Sequence, residues 1–93
     1  MNDDRILTMH PTGKKGVNIL RSRYEQIRDY IMDTIKEEGE ITFSDLGDKA
    51  VDDLSESFDG KVLWYITTVK LDMEARGIIE RIPKTSPHQL RLK

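Results

Sequence analysis

The stretch from Gly60 to Gly77 constrains this chain more than any other. Stepped at about 100° per residue, Val62, Ile66, Val69 and Met73 align in one narrow apolar stripe, the spacing of a helix that turns one face to a core. Trp64, Leu71 and Ala75 fall on the opposite side. A helix with two apolar faces is expected to be packed on both, leaving open only the strip that carries Lys61, Tyr65, Thr68 and Asp72. A row of hydrogen-bonding side chains on a helix clamped at both flanks is the design expected of a recognition helix.

What surrounds this helix is bounded by size and charge. Ninety-three residues make one domain with a single modest core. No run approaches the roughly 20 apolar residues of a membrane span. The acidic start Met1-Asn2-Asp3-Asp4-Arg5 lacks the apolar segment and small-residue cleavage site of a secretory signal. The absence of cysteine excludes disulfides and thiolate metal sites. A cytoplasmic protein is the expectation. The net charge of −2 hides a strong asymmetry. Residues 1–28 carry six basic and three acidic side chains, residues 29–59 two and eleven, and residues 60–93 seven and three. Two basic ends around an acidic middle leave room for a basic face that attracts a polyanion.

The elements that flank the helix follow from local signals. Residues 1–21 read as a basic N-terminal arm and extended leader, with the turn-forming His10-Pro11-Thr12-Gly13-Lys14-Lys15-Gly16 in its middle and a short extended Val17-Asn18-Ile19-Leu20 at its end. Lys14 and Lys15 lie in a glycine-flanked loop that lacks the spacing of a phosphate-binding P-loop and suits either a solvated linker or a phosphate backbone. Ser22 and Glu25 have the spacing of a capping box, and Tyr24, Ile27, Ile31 and Ile35 form the stripe of a first helix that Gly39 stops. Thr42 and Asp45 form a second capping box ahead of an amphipathic helix built on Phe43, Leu46, Gly47, Ala50, Val51 and Leu54. Its outer face, Asp45, Asp48, Lys49, Asp52 and Asp53, reads as a solvated acidic surface rather than a calcium loop, which needs alternating ligands in non-helical backbone. Phe58 is expected in the core and Asp59 at the cap of the third helix. Beyond Gly77 the period changes to two β segments, 78–82 and 89–93, joined by a Pro/Ser/Lys tip, a hairpin with Leu90 and Leu92 on one face and Arg91 and Lys93 on the other.

Helix, short strand, helix, turn, helix and hairpin make an α+β chain in the order of a winged helix-turn-helix, with residues 22–93 as that domain. Ala75-Arg76-Gly77-Ile78-Ile79-Glu80-Arg81 resembles the helix-to-wing junction of bacterial winged-helix regulators. The segment from Trp64 to Gly77, with Trp64-Tyr65, Thr67-Thr68, Lys70-Leu71-Asp72 and Glu74-Ala75-Arg76-Gly77, resembles the signature of a family of small, uncharacterised bacterial winged-helix proteins, in which a leader like His10 to Gly16 precedes the first helix. The resemblance implies the winged-helix fold and no particular activity.

As a DNA-binding winged helix, residues 60–76 would enter the major groove and 78–93 would follow the backbone as the wing. Lys61, Tyr65 and Thr68 would face the groove, while Arg81, Lys84, Arg91 and Lys93, joined by Lys14 and Lys15, would contact phosphates. Asp72 suits that role only if Arg76, four residues on, neutralises it. The alternative is a protein-interaction or homodimerisation module, in which Trp64 and Leu71, with Leu63, form the partner surface. An enzyme is not expected. His10 and His88 lie near opposite ends without a nucleophile beside them, and the carboxylates lie on exposed helix faces where nothing raises their pKa. No cofactor, metal or small-molecule motif is evident, and His88 is expected as an exposed residue at the wing tip.

Overall fold

Ile27, Ile31 and Ile35, spaced four residues apart, are the centre of the core, and each is almost completely buried. The computed structural model describes residues 4–93; residues 1–3 of the expected leader lie outside the described residues. In chain order it forms β1 (Arg5–Leu7), β2 (Asn18–Leu20), α1 (Arg21–Glu38), β3 (Glu40–Thr42), α2 (Phe43–Leu54), α3 (Val62–Ala75), β4 (Ile79–Ile82) and β5 (Gln89–Leu92). The described residues are therefore α+β, with three helices and two small antiparallel sheets. The isoleucines of α1 meet Leu46 and Ala50 of α2 and Val62, Ile66, Val69 and Met73 of α3, and Ile41, Ile79 and Leu90 close the core from the sheet. Full burial of each such aliphatic side chain stabilises the fold by about 1.5–3 kcal/mol. No helix among the described residues is long and apolar enough to cross a membrane.

The second sheet has the order β3-β5-β4, so the C-terminal hairpin reaches back to the strand between α1 and α2. Ile41 lies opposite Leu90, and Arg81 opposite the same Leu90 on the other side. The alternation expected of β5 holds at Leu90, which is fully buried. At the tip, Lys84 adopts a left-handed conformation, and the Thr85 hydroxyl donates to Ile82 O (2.8 Å) while accepting from Gln89 N (2.9 Å).

Most helix ends follow the sequence signals. Gly39, at φ 81°, ends α1 and donates its N–H to Ile35 O, and Gly77, at φ 76°, follows the end of α3. Thr42 caps α2 by accepting from Asp45 N at 3.0 Å. Two expected caps are not the caps. Helix α1 begins at Arg21, with Leu20 in the cap position, so Ser22 lies inside the first turn. The reason is that β2 runs directly into α1, and the Arg21 N–H is taken by Asp4 O at 2.6 Å. Helix α3 begins at Val62, with Lys61 in the cap position, and Asp59 instead pairs with Arg23 of α1 at 2.6 Å. Gly60, at φ 150° with the rings of Tyr65 and Phe58 against it, carries the chain between them. Val51, expected inside, is 39% exposed.

The leader is built into the fold. Strands β1 and β2 pair antiparallel, with Ile6 opposite Ile19, and Thr8 N donates to Val17 O beyond them at 2.8 Å. Ile19 is buried on α1. The His10 to Gly16 stretch is the turn of this N-terminal hairpin, with Gly13 at φ 80°.

Candidate nucleic-acid interface

Helix α3 is open along a different strip from the one its sequence suggests. The most exposed side chains are Leu63 (52%) and Trp64 (45%), with Thr67, Thr68 and Leu71 half-buried beside them. This strip is rotated by about a quarter turn from the expected row of Lys61, Tyr65, Thr68 and Asp72. Two elements cause the rotation. The wing, β4 and β5, covers the side of Lys70 and Glu74, and the N-terminal hairpin covers the side of Leu71 and Asp72. The apolar face of Trp64, Leu71 and Ala75 is consequently only partly packed.

Asp72 is the clearest departure. It is fully buried, not part of the open strip. Its carboxylate accepts the Tyr24 hydroxyl (2.5 Å), both approaches of Arg76 Nε (2.9 and 3.0 Å) and the Met9 amide (2.8 Å), tying α3 to α1 and to the hairpin. The expected pairing with Arg76 is present, in the interior rather than on a readout face. Burial, reinforced by the bond to Asp72, pushes the Tyr24 hydroxyl up to about 12. Tyr65 is also turned away from solvent. Its hydroxyl accepts from Arg23 Nη1 at 3.1 Å, and its ring meets the edge of Phe58 with centroids 5.0 Å apart.

On the other flank the expected wing contacts divide. Arg81 pairs with Glu74 at 3.3 Å and Arg91 with Glu80 at 2.7 Å, so both guanidinium groups already have a carboxylate. Lys84 makes no ion pair among the described residues and stands exposed at the tip. The sequence reading missed Lys70, which is 2% exposed and pairs with Glu74 at 3.0 Å, its ammonium 5.0 Å from the centre of the Phe43 ring. The signal was available, because Lys70 lies immediately beside the Val62-Ile66-Val69-Met73 stripe on the helical wheel. Burial lowers its pKa, against the opposing pull of Glu74.

His88, expected as an exposed tip residue, instead lies flat on Phe43, with centroids 5.5 Å apart and the rings 11° from parallel. Its Nε2 is buried with no hydrogen-bond partner. Burial and then the Lys70 and Arg81 cations hold its pKa below the usual histidine value. His10 lies in the turn of the N-terminal hairpin, where its Nδ1 accepts from Thr12 N at 3.2 Å.

Lys14, Lys15, Lys61 and Lys84 make no ion pair among the described residues. They occupy the tip of the hairpin, the start of α3 and the tip of the wing. Lys15 shares with Thr68 and Leu71 a cleft of about 100 Å³ between hairpin and helix. The acidic middle of the chain forms a separate cleft of about 610 Å³, where Glu38, Glu40, Asp45, Asp52 and Asp53 gather around Lys49 and Gln89, with no residue from α3 or the N-terminal hairpin. Among the described residues no three His, Asp or Glu side chains are arranged to hold a metal ion.

No curated protein and no solved structure matches the chain. A family model does match, over residues 5–90, from the first residue of β1 into β5, so that the N-terminal hairpin and the helical body fall within one match. The chain belongs to this family of unknown function (DUF6958).

Proposed function

We propose that the chain is a winged-helix protein that binds duplex DNA, with α3 as the groove-facing helix, β4–β5 as the wing and the N-terminal hairpin as a second flank. The order α1-β3-α2-α3-β4-β5 and the strand order β3-β5-β4 support the fold assignment. The observation that carries the function is a group of four lysines that make no ion pair among the described residues. Lys14, Lys15, Lys61 and Lys84 extend from the elements that border the open strip of α3, and that strip carries no charge of its own. Lysines without acidic partners gain from a phosphate without first breaking an ion pair, and each displaces a condensed counterion. Arg81 and Arg91 would have to leave Glu74 and Glu80, so they contribute less.

The strip itself determines how the duplex is read. Trp64, Thr68 and Leu71 offer apolar contact to thymine methyls and one free hydroxyl, with no arginine, asparagine or glutamine for a bidentate base contact. Affinity then comes from phosphates and shape, and sequence preference is slight. Anisotropy titrations of a labelled duplex across a salt series test this. The expected log-log slope is about −0.9 per phosphate neutralised, falling stepwise as Lys14, Lys15, Lys61 and Lys84 are changed to Gln. Affinity unaltered in the fourfold variant, or no binding at low salt, overturns the reading.

The exposure of Leu63, Trp64 and Val51 favours a second reading, a protein-interaction or homodimer surface on the α2–α3 face. Sedimentation equilibrium separates the two: self-association abolished by Trp64→Ala supports an apolar partner surface, and a monomer at all concentrations excludes the homodimer.

A further inference from the structure

We propose that the cleft between the N-terminal hairpin and α3 is a phosphate-binding subsite, an assignment that rests on the DNA reading only for the source of the phosphate. Three residues that carry donor groups line this cleft from two elements: Lys15 and His10 from the hairpin, and Thr68 from α3. His10 Nδ1 lies 3.2 Å from the Thr12 amide and 2.9 Å from the Thr12 hydroxyl, and in the tautomer that accepts from both the ring proton is on Nε2, which makes that nitrogen a donor. The Thr68 hydroxyl makes no hydrogen bond among the described residues, unlike that of Thr67, which donates to Leu63 O at 2.9 Å.

The walls of the cleft suit an anion. Met9, Val17 and Leu71 give the cleft apolar walls, beside which a charge-assisted hydrogen bond is stronger than in open water. Asp72, whose carboxylate accepts the amide of the cleft residue Met9, does not oppose the ligand, because Arg76, Tyr24 and that amide occupy it. The Asp72–Met9 bond also holds the hairpin against α3, so the cleft is formed before any ligand arrives. At about 100 Å³ the space is well below the 300–1,000 Å³ of sites for whole small molecules, and it admits a single small anionic group. Phosphate offers the acceptor oxygens for all three donors. A backbone phosphodiester and the phosphate of a free nucleotide share this chemistry.

Amide chemical shifts of the full chain, titrated separately with inorganic phosphate, a mononucleotide and a short duplex, test the proposal together with the Lys15→Gln and Thr68→Val variants. Thr68→Val keeps the volume and removes the hydroxyl. The expected result is a shift of His10, Gly16 and Thr68 with the duplex, about tenfold weaker duplex binding in the double variant, and an unchanged spectrum elsewhere in that variant. If inorganic phosphate or the mononucleotide moves the same amides while the duplex moves none, the subsite stands and the DNA reading falls. If the duplex binds the double variant as tightly as the parent and these amides stay still, the subsite is overturned while the DNA reading survives. Stillness of the three amides with all three probes overturns the subsite outright.

Discussion

The Tyr24 hydroxyl of α1 donates to the buried carboxylate of Asp72 on α3 across 2.5 Å, and the same carboxylate holds Arg76 and the Met9 amide. One side chain thus joins helix, helix and hairpin. Removing it by Asp72→Ala leaves a buried hydroxyl, an amide and a guanidinium without their acceptor. The Arg76 side chain is 35% exposed and is rehydrated, so the cost is that of the buried Tyr24 hydroxyl left without an acceptor, about 1–3 kcal/mol, and urea denaturation is expected to show a loss of that order. Asp72→Asn retains acceptor capacity and is expected to lose less.

The same contact sets an alkaline limit. Tyr24 is held at about 12 when folded, against 10 for the free side chain. The folded state therefore keeps a proton that the unfolded chain has released, and stability falls as pH rises from 10 toward 12. A Tyr24→Phe variant is expected to be less stable at neutral pH, through loss of the buried hydrogen bond to Asp72, and to lose less additional stability over that alkaline window. Thermal melts at stepped pH measure the difference.

His88 sets the acid counterpart. Its folded pKa lies below 6.5, so the unfolded chain binds the proton first, and its contribution is complete above 6.5 and is lost as pH falls through the depressed value. Protonation adds a cation beside Lys70 of α3 and Arg81 of β4, with Glu74 already shared between those two and only the Phe43 ring on the α2 side. His88→Phe keeps a ring on Phe43 and removes the unpartnered Nε2. The variant is expected to retain more of its melting temperature than the parent between pH 7 and pH 5, and equal slopes would contradict the role assigned to His88.

Gly16 is required by close approach of backbone. A methyl group there would lie 1.7 Å from Thr8 O and 2.8 Å from the Thr8 hydroxyl, in a strand pair that cannot open without losing the Val17 contacts. Gly16→Ala is expected to destabilise the chain by about 1–3 kcal/mol. The loss should be confined to the hairpin, read as faster amide exchange at Thr8 and Val17 than at Ile31.

Trp64 is nearly half exposed and touches the Tyr65 ring edge-on at 4.9 Å. Trp64→Ala is expected to cost no more than about 1 kcal/mol of stability. In the parent protein the indole fluorescence is expected to change when duplex is added, because the ring lies on the proposed contact strip. A large loss of stability would place Trp64 among the structural residues instead.

What the sequence determined by itself was the periodic part. Ile27-Ile31-Ile35, Leu46-Ala50 and Val62-Ile66-Val69-Met73 had to be buried faces, since an apolar stripe at helical spacing has no other stable environment, and Gly39 and Gly77 had to end helices because they accept positive φ. Lys14, Lys15, Lys61 and Lys84 could be read as exposed cations for the same local reason. Tertiary structure decided which side of α3 faces solvent. Angular position on a helical wheel does not state which neighbours will cover it, and here the N-terminal hairpin, distant in sequence, covers Asp72, while Phe43 of α2 and Arg81 of the adjoining wing close over Lys70 and Glu74. A charged residue at such a position is buried only because partners reach it from elsewhere: Tyr24 lies 48 residues from Asp72, and the Phe43 ring that lies against the Lys70 ammonium comes from α2. Long-range partners of this kind leave no local pattern in the chain.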